Sequence, residues 1–506
     1  MRTAHTVAQV RAAEAALMAT LPDGALMQRA ATGLAVACSG VLHRTYGARV
    51  VLLVGSGNNG ADALWAGAQL AGRGAQVRAL LAGDAVPDAL QALLAAGGRA
   101  VRANGPATSS ALTGADLVLD GLVGIGARGP LRAAAAALVE ELERSQAVGD
   151  RASRRRGAAD RARLVVAVDV PSGVNADTGA VDGPAVQADL TVTFGTYKPG
   201  LVVGPGRAHT GRVQLVDIGL TPHLPAAPVE VLTAYDVAGL LPVPDEVADK
   251  YSRGVLGVAA GSQQYTGAAV LCTGAAVRAG AGMVRFAGAP HAAEQVRSRW
   301  PETVVTESTG AGVVQAGRVQ AWVVGPGLGT DERAARTVEA VLAQDVPVLV
   351  DADALTVCAQ HPTWLQRRTA PTLLTPHDRE FARFGWEVGP DRVGSARELA
   401  RELGVHVLLK GDATVVVGPD GPARVNATGS PVLATAGSGD VLSGGVGALL
   451  AQGLDPLTAG SVGAYLHGRA GTLSASGAAT SASAVLEAWP DAVREVRAET
   501  MVGWHS

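Results

Sequence analysis

Residues Val50–Asp62 read VVLLVGSGNNGAD: five apolar residues run straight into a turn and then into an Ala- and Leu-rich stretch. A strand covered on both faces reads as an unbroken apolar run, and a helix that starts at a tight glycine turn offers free N–H groups to an anion. Gly55, Gly57 and Gly60 satisfy G-x-G-x-x-G in that strand–turn–helix setting, so the segment is the opening unit of a parallel sheet. The ordinary dinucleotide version also needs an acidic residue about twenty positions on to hold the ribose. Here the second strand, Gln76–Leu81, ends without one, and the nearest acid is Asp84. The polar group Asn58, Asn59 and Asp62 is also foreign to a plain dinucleotide turn.

Outward from this segment the alternation continues. Val7, Val10, Glu14 and Leu17 fit one helix, and Asp23 to Leu42 a second. Strand-length runs follow at Val50–Val54, Val77–Leu81, Leu117–Leu119, Leu164–Val168, Leu190–Phe194 and Val213–Val216. Ser145–Arg163, with three consecutive arginines and no apolar period, reads as a solvated loop. Prolines at 222, 225, 228, 242 and 244 mark a domain boundary. Beyond it come Val255–Ala260, Val284–Ala287, Ala321–Val324, Val346–Val350, Thr372–Leu374, Val405–Leu409 and Val415–Val417. Three helices close the chain, around Gly439–Gln452, Leu457–Ser474 and Ala482–Arg497. The expected fold class is α/β in two domains, residues 1–225 and 226–506.

Composition narrows the function. The chain has 506 residues, 48% of them hydrophobic but only 3% aromatic, so its cores are built from Ala, Val and Leu. A net charge of −3 gives no electrostatic case for nucleic acid or an anionic membrane. No apolar stretch reaches the length of a membrane span, the N-terminus lacks the apolar core of a signal peptide, and Cys38, Cys272 and Cys358 stand far apart. The expectation is a cytoplasmic protein with reduced, metal-free cysteines. Of 42 basic residues only Lys198, Lys250 and Lys410 are lysines, which points to positions that need a compact ammonium rather than a planar guanidinium.

Two further loops leave strand ends in the front half: Asp120-Gly121-Leu122-Val123-Gly124-Ile125-Gly126-Ala127-Arg128-Gly129-Pro130, and Asp169-Val170-Pro171-Ser172-Gly173-Val174-Asn175-Ala176-Asp177. The C-terminal strand ends of an open parallel sheet converge on one crevice, so Asn59, Asp120, Asp169 and Ser172 are expected to meet. Their amide, carboxylate and hydroxyl oxygens suit a hard cation, although each alone would be an ordinary turn-former or helix cap. GSGNNGAD, VLDGLVGIGARGP and VDVPSGVNADTG, with TVAQVRAAEAA and TFGTYKPGL, resemble the NAD(P)H-hydrate epimerase domain family over roughly residues 1–220. The resemblance implies a potassium ion held by Asn59, Asp120 and Ser172. It also implies substrate contacts from Asn58, Asn59, Gly60, Ala61 and Asp62, from Gly124, Ile125, Gly126, Ala127, Arg128, Gly129 and Pro130, and from Asp169. Ala61 replaces a glycine common in the family, which adds a methyl group to the turn. Asp169 is the candidate acid/base for inverting C6 of the hydrated nicotinamide ring.

In the back half the block Thr435-Ala436-Gly437-Ser438-Gly439-Asp440 opens a helix with free backbone N–H groups and a carboxylate able to take a proton from an attacking hydroxyl. Lys410-Gly411-Asp412-Ala413-Thr414, Thr375-Pro376-His377-Asp378-Arg379-Glu380, Gly325-Pro326-Gly327-Leu328-Gly329 and Asp351-Ala352-Asp353 each follow a strand, and no GxxxxGK[ST] occurs. Together they resemble the ribokinase-like superfamily, and within it the ADP/ATP-dependent NAD(P)H-hydrate dehydratases, over about residues 230–500. That likeness implies Asp440 as base and contacts to the hydrate from Ala276, Gly327, His377 and Asp440. It implies ADP or ATP held by Lys410, Gly411, Asp412, Ala413, Thr414 and Gly439, with Mg2+, and reaction by phosphorylation of the ring hydroxyl followed by loss of phosphate. The expected partners are the small molecules NADHX and NADPHX, and the expected assembly is a homo-oligomer. Two rivals are a vitamin-precursor kinase fused to a nucleotide-binding module, and a front domain that senses NAD without catalysis.

Overall fold

The computed structural model describes residues 1–103, 106–156, 163–243, 245, 247 and 249–502. A short strand, β1 (Arg2–Ala4), opens the chain, which divides into two compact units, Thr3–Pro228 and Val229 onward with Met1–Arg2.

The front unit is built on a seven-stranded sheet of β2 (Arg49–Val54), β3 (Gln76–Leu81), β4 (Arg99–Arg102), β5 (Leu117–Gly121), β6 (Leu164–Val168), β7 (Leu190–Phe194) and β8 (Arg212–Val216), in the order β4-β3-β2-β5-β6-β7-β8. Every pairing is parallel. The chain winds outward from β2 one way and then returns to β5 on its other side, so the loops after β2 and β5 separate and leave a crevice at their C-terminal ends.

The back unit carries β9 (Val229–Val231), β10 (Val255–Ala259), β11 (Met283–Gly288), β12 (Val304–Glu307), β13 (Ala321–Val324), β14 (Val348–Val350), β15 (Thr372–Leu374), β16 (His406–Leu409), β17 (Val415–Val417) and β18 (Ala423–Val425), ordered β9-β18-β17-β16-β15-β14-β13-β10-β11-β12. Strands β16, β17 and β18 pair antiparallel, and the pairings from β12 to β16 are parallel. The core uses glycine to seat its few large rings. A methyl group on Gly257 would come within 2.4 Å of Trp322, one on Gly274 within 2.2 Å of Trp300, and one on Gly445 within 2.2 Å of Trp489. Part of the glycine excess therefore serves close packing between elements rather than turns.

Two expectations are corrected, and two strands carried no sequence signal. Ser145–Arg156 belongs to the helix Ala133–Arg156 and is not a loop, because its Gln, Ala and Arg residues favour helix, while residues 157–162 lie outside the described set. The strand expected over Val346–Val350 is confined to Val348–Val350, after Pro347, whose ring nitrogen has no N–H for a ladder. Strands β4 and β12 lie at sheet edges and are largely exposed, so they lack the apolar run that reveals a strand.

Candidate functional site: two strand-end crevices

The front crevice is a cavity of about 840 Å³ walled by the first helix (Arg11, Glu14), the turn after β2, the loop after β5 and the loop after β6. The turn glycines do unequal jobs. A methyl on Gly55 would meet the Leu122 carbonyl at 1.8 Å, and one on Gly60 the Gly55 carbonyl at 2.2 Å, so both exist to let backbones touch. Gly57 has open space where its side chain would be, and it lines the cavity.

Asn59, Asp120 and Ser172 converge. Asp120 is fully buried, accepting from the Ser172 hydroxyl (2.7 Å) and N–H (2.8 Å) and from the Leu122 N–H (3.3 Å). The Ser172 hydroxyl oxygen accepts from the Val123 N–H (3.0 Å), and the Asn59 amide donates to the Val123 carbonyl (3.0 Å). Burial pushes Asp120 up to about 6 against those hydrogen bonds. Its hydrogen-bond partners include no cationic side chain, and the surrounding donor atoms are oxygens of Asn59, Ser172 and the Val123 carbonyl. That donor set fits a hard cation.

Asp169, at the end of β6, has φ +64°, a left-handed conformation that costs a non-glycine residue energy and collects at functional sites. One of its oxygens, Oδ1, accepts from the Thr193 hydroxyl (2.9 Å) and the Phe194 N–H (3.3 Å) and is ion-paired with Lys198. Lys198 is 1% exposed, and its ammonium also donates to the Thr193 hydroxyl and the Phe194 carbonyl, both at 3.0 Å. Asp62 and Glu14 line the same cavity. Burial and then the charges of Asp169 and Glu14 push Asp62 well above the usual carboxylate range. Burial and then Asp169 raise Glu14, with Lys198 and Arg11 opposing.

In the back unit the loops after β14 and β16 and the short helix Asp378–Ala382 after β15 bring Asp351, Lys410 and Glu380 together beside helix Ser438–Ala451. Lys410 Nζ donates to Asp351 Oδ1 (2.9 Å) and lies 3.5 Å from Glu380 Oε2. Burial works against its charge, but Asp351 and Glu380 outweigh burial and raise its pKa. The Ser443 hydroxyl donates to Asp351 Oδ2 (2.7 Å), and a methyl on Gly439 would sit 3.6 Å from Lys410 Nζ. Gly437 precedes the helix at φ +83°, and Asp440 stands in its first turn. Burial and then Asp351 raise Asp440 to about 7, Lys410 opposing, with Asp353 and Glu380 adding to the rise. Asp353 Oδ2 accepts from the Gly329 N–H (2.8 Å), which ties the Gly325–Gly329 turn to the loop after β14. Among the described residues no group of three or more His, Cys, Asp or Glu side chains forms a metal cage. One ammonium among Asp351, Asp353, Glu380 and Asp440 leaves excess negative charge, which fits a magnesium ion that arrives on nucleotide phosphates and keeps its waters.

The expected residues sort unevenly. Asn58, Asn59, Asp62, Gly124–Pro130 and Asp169 all line the front cavity, whereas Gly60 and Ala61 are buried beneath it. The extra methyl of Ala61 therefore faces core. Lys410 and Asp440 share one cluster with Gly439. His377 caps helix Asp378–Ala382, its Nδ1 accepting from the N–H groups of Arg379 and Glu380, which leaves Nε2 half-exposed near Glu380. Gly327 (φ +62°) has its Cα packed against Tyr265 and Ala268. The Ala276 methyl is fully buried in the core. Glu14, Arg11, Lys198, Asp351 and Glu380 were missing from the expected site. The scarcity of lysine pointed to Lys198, but nothing local links Glu14 or Arg11 to loops more than a hundred residues away.

Comparison with known proteins agrees in both halves. A family model described as NAD(P)H-hydrate dehydratase matches residues 256–489, and one described as YjeF-related protein N-terminus matches residues 23–200. The bifunctional NAD(P)H-hydrate repair enzyme Nnr of Mycobacterium tuberculosis is 50% identical over 450 residues, 87% of this chain and 87% of its own. That of Mycobacterium leprae is 49% identical over 486 residues, 94% of this chain and 95% of its own. The crystal structure of ADP/ATP-dependent NAD(P)H-hydrate dehydratase from Bacillus subtilis, with ATP/Mg2+, is 29% identical at a TM-score of 0.46, covering 52% of this chain and 97% of that one.

Proposed function

The chain belongs to the family of bifunctional NAD(P)H-hydrate repair enzymes, and from that premise we propose that its two crevices act on one damaged cofactor. Residues 1–225 interconvert the R and S hydrates of NADH and NADPH, and residues 226–506 dehydrate the S form at the expense of ADP or ATP.

The observation that carries the dehydratase reading is Asp440, raised to about 7 at a glycine-opened helix N-terminus beside Lys410. A base poised near neutrality both holds a useful carboxylate fraction and accepts a proton readily. Asp440 takes the proton of the ring C6 hydroxyl as that oxygen attacks the terminal phosphorus, and the bond from phosphorus to the nucleotide breaks. The new phosphate ester then leaves with its bonding pair, the ring nitrogen supplies electrons to C6, and loss of a proton from the neighbouring carbon restores the nicotinamide double bond. Hydroxide is a poor leaving group and phosphate a good one, so nucleotide cleavage drives the dehydration. The N–H groups of the Gly437–Gly439 turn face the developing phosphate charge. Gly327 and His377 Nε2 are assigned to the hydrate, and the Lys410–Thr414 loop with Gly439 to the nucleotide. Magnesium would be held on the phosphates, with Asp353 reaching it through water, and would neutralise charge there.

In the front crevice Asn59, Asp120 and Ser172 would hold potassium, which supplies a positive charge next to a buried carboxylate. Asp169, aimed by Lys198 and Thr193, is assigned to the ring, with Asn58 and the Gly124–Pro130 loop as walls. Three buried, unpaired cysteines support a cytoplasmic setting, and the assembly is proposed as a homo-oligomer. The test is purified protein with a mixture of R- and S-NADHX, ADP or ATP and magnesium. Complete conversion to NADH supports both activities, consumption of only the S half removes the epimerase, and phosphorylation of an unrelated vitamin alcohol instead would favour the kinase reading.

A further inference from the structure

Two carboxyl groups on the front cavity wall sit in opposite surroundings. Asp169 Oδ1 receives a hydroxyl, an N–H and the Lys198 ammonium. Asp62, on helix Asn58–Gly72, is 9% exposed, and its Oδ1 is buried with no hydrogen-bond partner among the described residues. The charged neighbours that act on it are Glu14 and Asp169, both acidic, while Lys198 is spent on Asp169 and Arg11 faces Glu14. A carboxylate left without donors and flanked by negative charge takes up a proton, whereas Asp169 Oδ1 is held as an acceptor by three donors, one of them the Lys198 ammonium. Two carboxyl groups in such unlike surroundings suit the acid and the base of a site. Asp120 is no competitor, because both of its oxygens are occupied by Ser172 and Leu122 and it is wholly buried.

We propose that Asp62 is the proton donor of the epimerisation, working with Asp169 in the cavity that both residues line. The inference rests on the epimerase reading and deepens it. Asp62 gives its proton to the C6 hydroxyl, the C6–O bond breaks, and the ring nitrogen lone pair forms C6=N+, so water departs and a cation remains. Water then adds to the opposite face and loses a proton to Asp169. One inversion thus carries a proton from Asp62 to Asp169, the reverse inversion carries it back, and each inversion replaces the C6 oxygen by solvent oxygen.

The bland alternative is that Asp62 merely binds the substrate through a hydrogen bond, a task an amide performs nearly as well. Asp62→Asn separates the two. With R-NADHX and the full chain, followed by chromatographic separation of the epimers, a proton donor predicts a fall in kcat of about 10²–10⁴-fold. KM should move by less than about threefold, since the binding groups remain. The wild-type kcat/KM should fall as pH rises beyond the ordinary carboxylate range, and this alkaline limb should vanish in Asp62→Asn. Glu14, Arg11, Asp169 and Lys198 also face this region, so the limb is assigned to Asp62 only by its loss in the variant. Solvent labelled with ¹⁸O should enter C6 at the wild-type epimerisation rate. Retained kcat, or a raised KM with kcat unchanged, overturns the proposal. If the variant does not fold, a wild-type profile flat from about pH 5 to about pH 10, or inversion without ¹⁸O uptake, overturns it equally. Wild-type protein that fails to invert the R-hydrate at all would instead refute the epimerase reading.

Discussion

Lys198→Met tests the ion pair that organises the front crevice. The ammonium is 1% exposed and serves three acceptors, Asp169, Thr193 and the Phe194 carbonyl. Removing one partner of a buried pair costs about 3–5 kcal/mol, because the remaining charge is left uncompensated. Here that charge sits on a residue already held at φ +64°. For a unit of this size each kcal/mol lowers Tm by about 2–4 °C, so the variant should melt roughly 6–20 °C lower. Hydrogen exchange followed by mass spectrometry on peptides covering β6 and β7 reads the front unit without interference from the other. Asp169→Asn alone should also be costly, since it strands the lysine. Combined with Lys198→Met it should cost clearly less than the two added together, by about 1–3 kcal/mol. A loss below about 1 kcal/mol for Lys198→Met, or additivity within about 0.5 kcal/mol, would refute the claim that the pair is a single buried unit.

The dehydration rate, followed as NADH absorbance, should rise with pH through about 7 as Asp440 becomes a carboxylate, and Asp351→Asn should move that midpoint to lower pH by removing a nearby negative charge. Asp440→Asn should lose about 10²–10⁴-fold at every pH. Asp120 has a folded pKa of about 6, above its unfolded value, so its contribution to stability is present below the unfolded pKa and lost as pH rises through about 6. Potassium should restore stability at pH 7 by roughly 1–3 kcal/mol at ten- to hundredfold excess over Kd, and Asp120→Asn should abolish that gain, as read by Tm in potassium against lithium salts. Gly55→Ala, whose methyl would meet a carbonyl at 1.8 Å, should destabilise the front unit by about 1–3 kcal/mol. Gly57→Ala should melt like the parent but raise KM for the hydrate, because its methyl enters the cavity.

What the sequence disclosed followed from where physics writes itself locally. β2, β5, β6 and β7 are buried on both faces, so their apolar runs were plain, and so were the polar loops at their C-terminal ends. Edge strands β4 and β12 answer to no such demand and carried no signal. The convergence of Asn59, Asp120 and Ser172 and the place of Asp440 at a helix start were legible because each lies where a strand ends or a glycine-marked helix begins. Glu14, Asp351 and Glu380 act through neighbours far along the chain, and their effect on Asp62 and Asp440 emerges only when the strand ends are gathered. Lys410 shows what its motif did not disclose: the ammonium pairs with Asp351 and Glu380 and adds to the charge around Asp440. His377 combined both readings, a helix cap through Nδ1 with Nε2 left for a ligand.

Pure R-NADHX supplied to the intact chain with ATP or ADP and magnesium probes both crevices in one experiment. Near-quantitative NADH with release of inorganic phosphate, abolished separately by Asp169→Asn and by Asp440→Asn, is the predicted result. NADH formation that persists in either variant at the parental rate would contradict the assignment of the two reactions to the two strand-end sites.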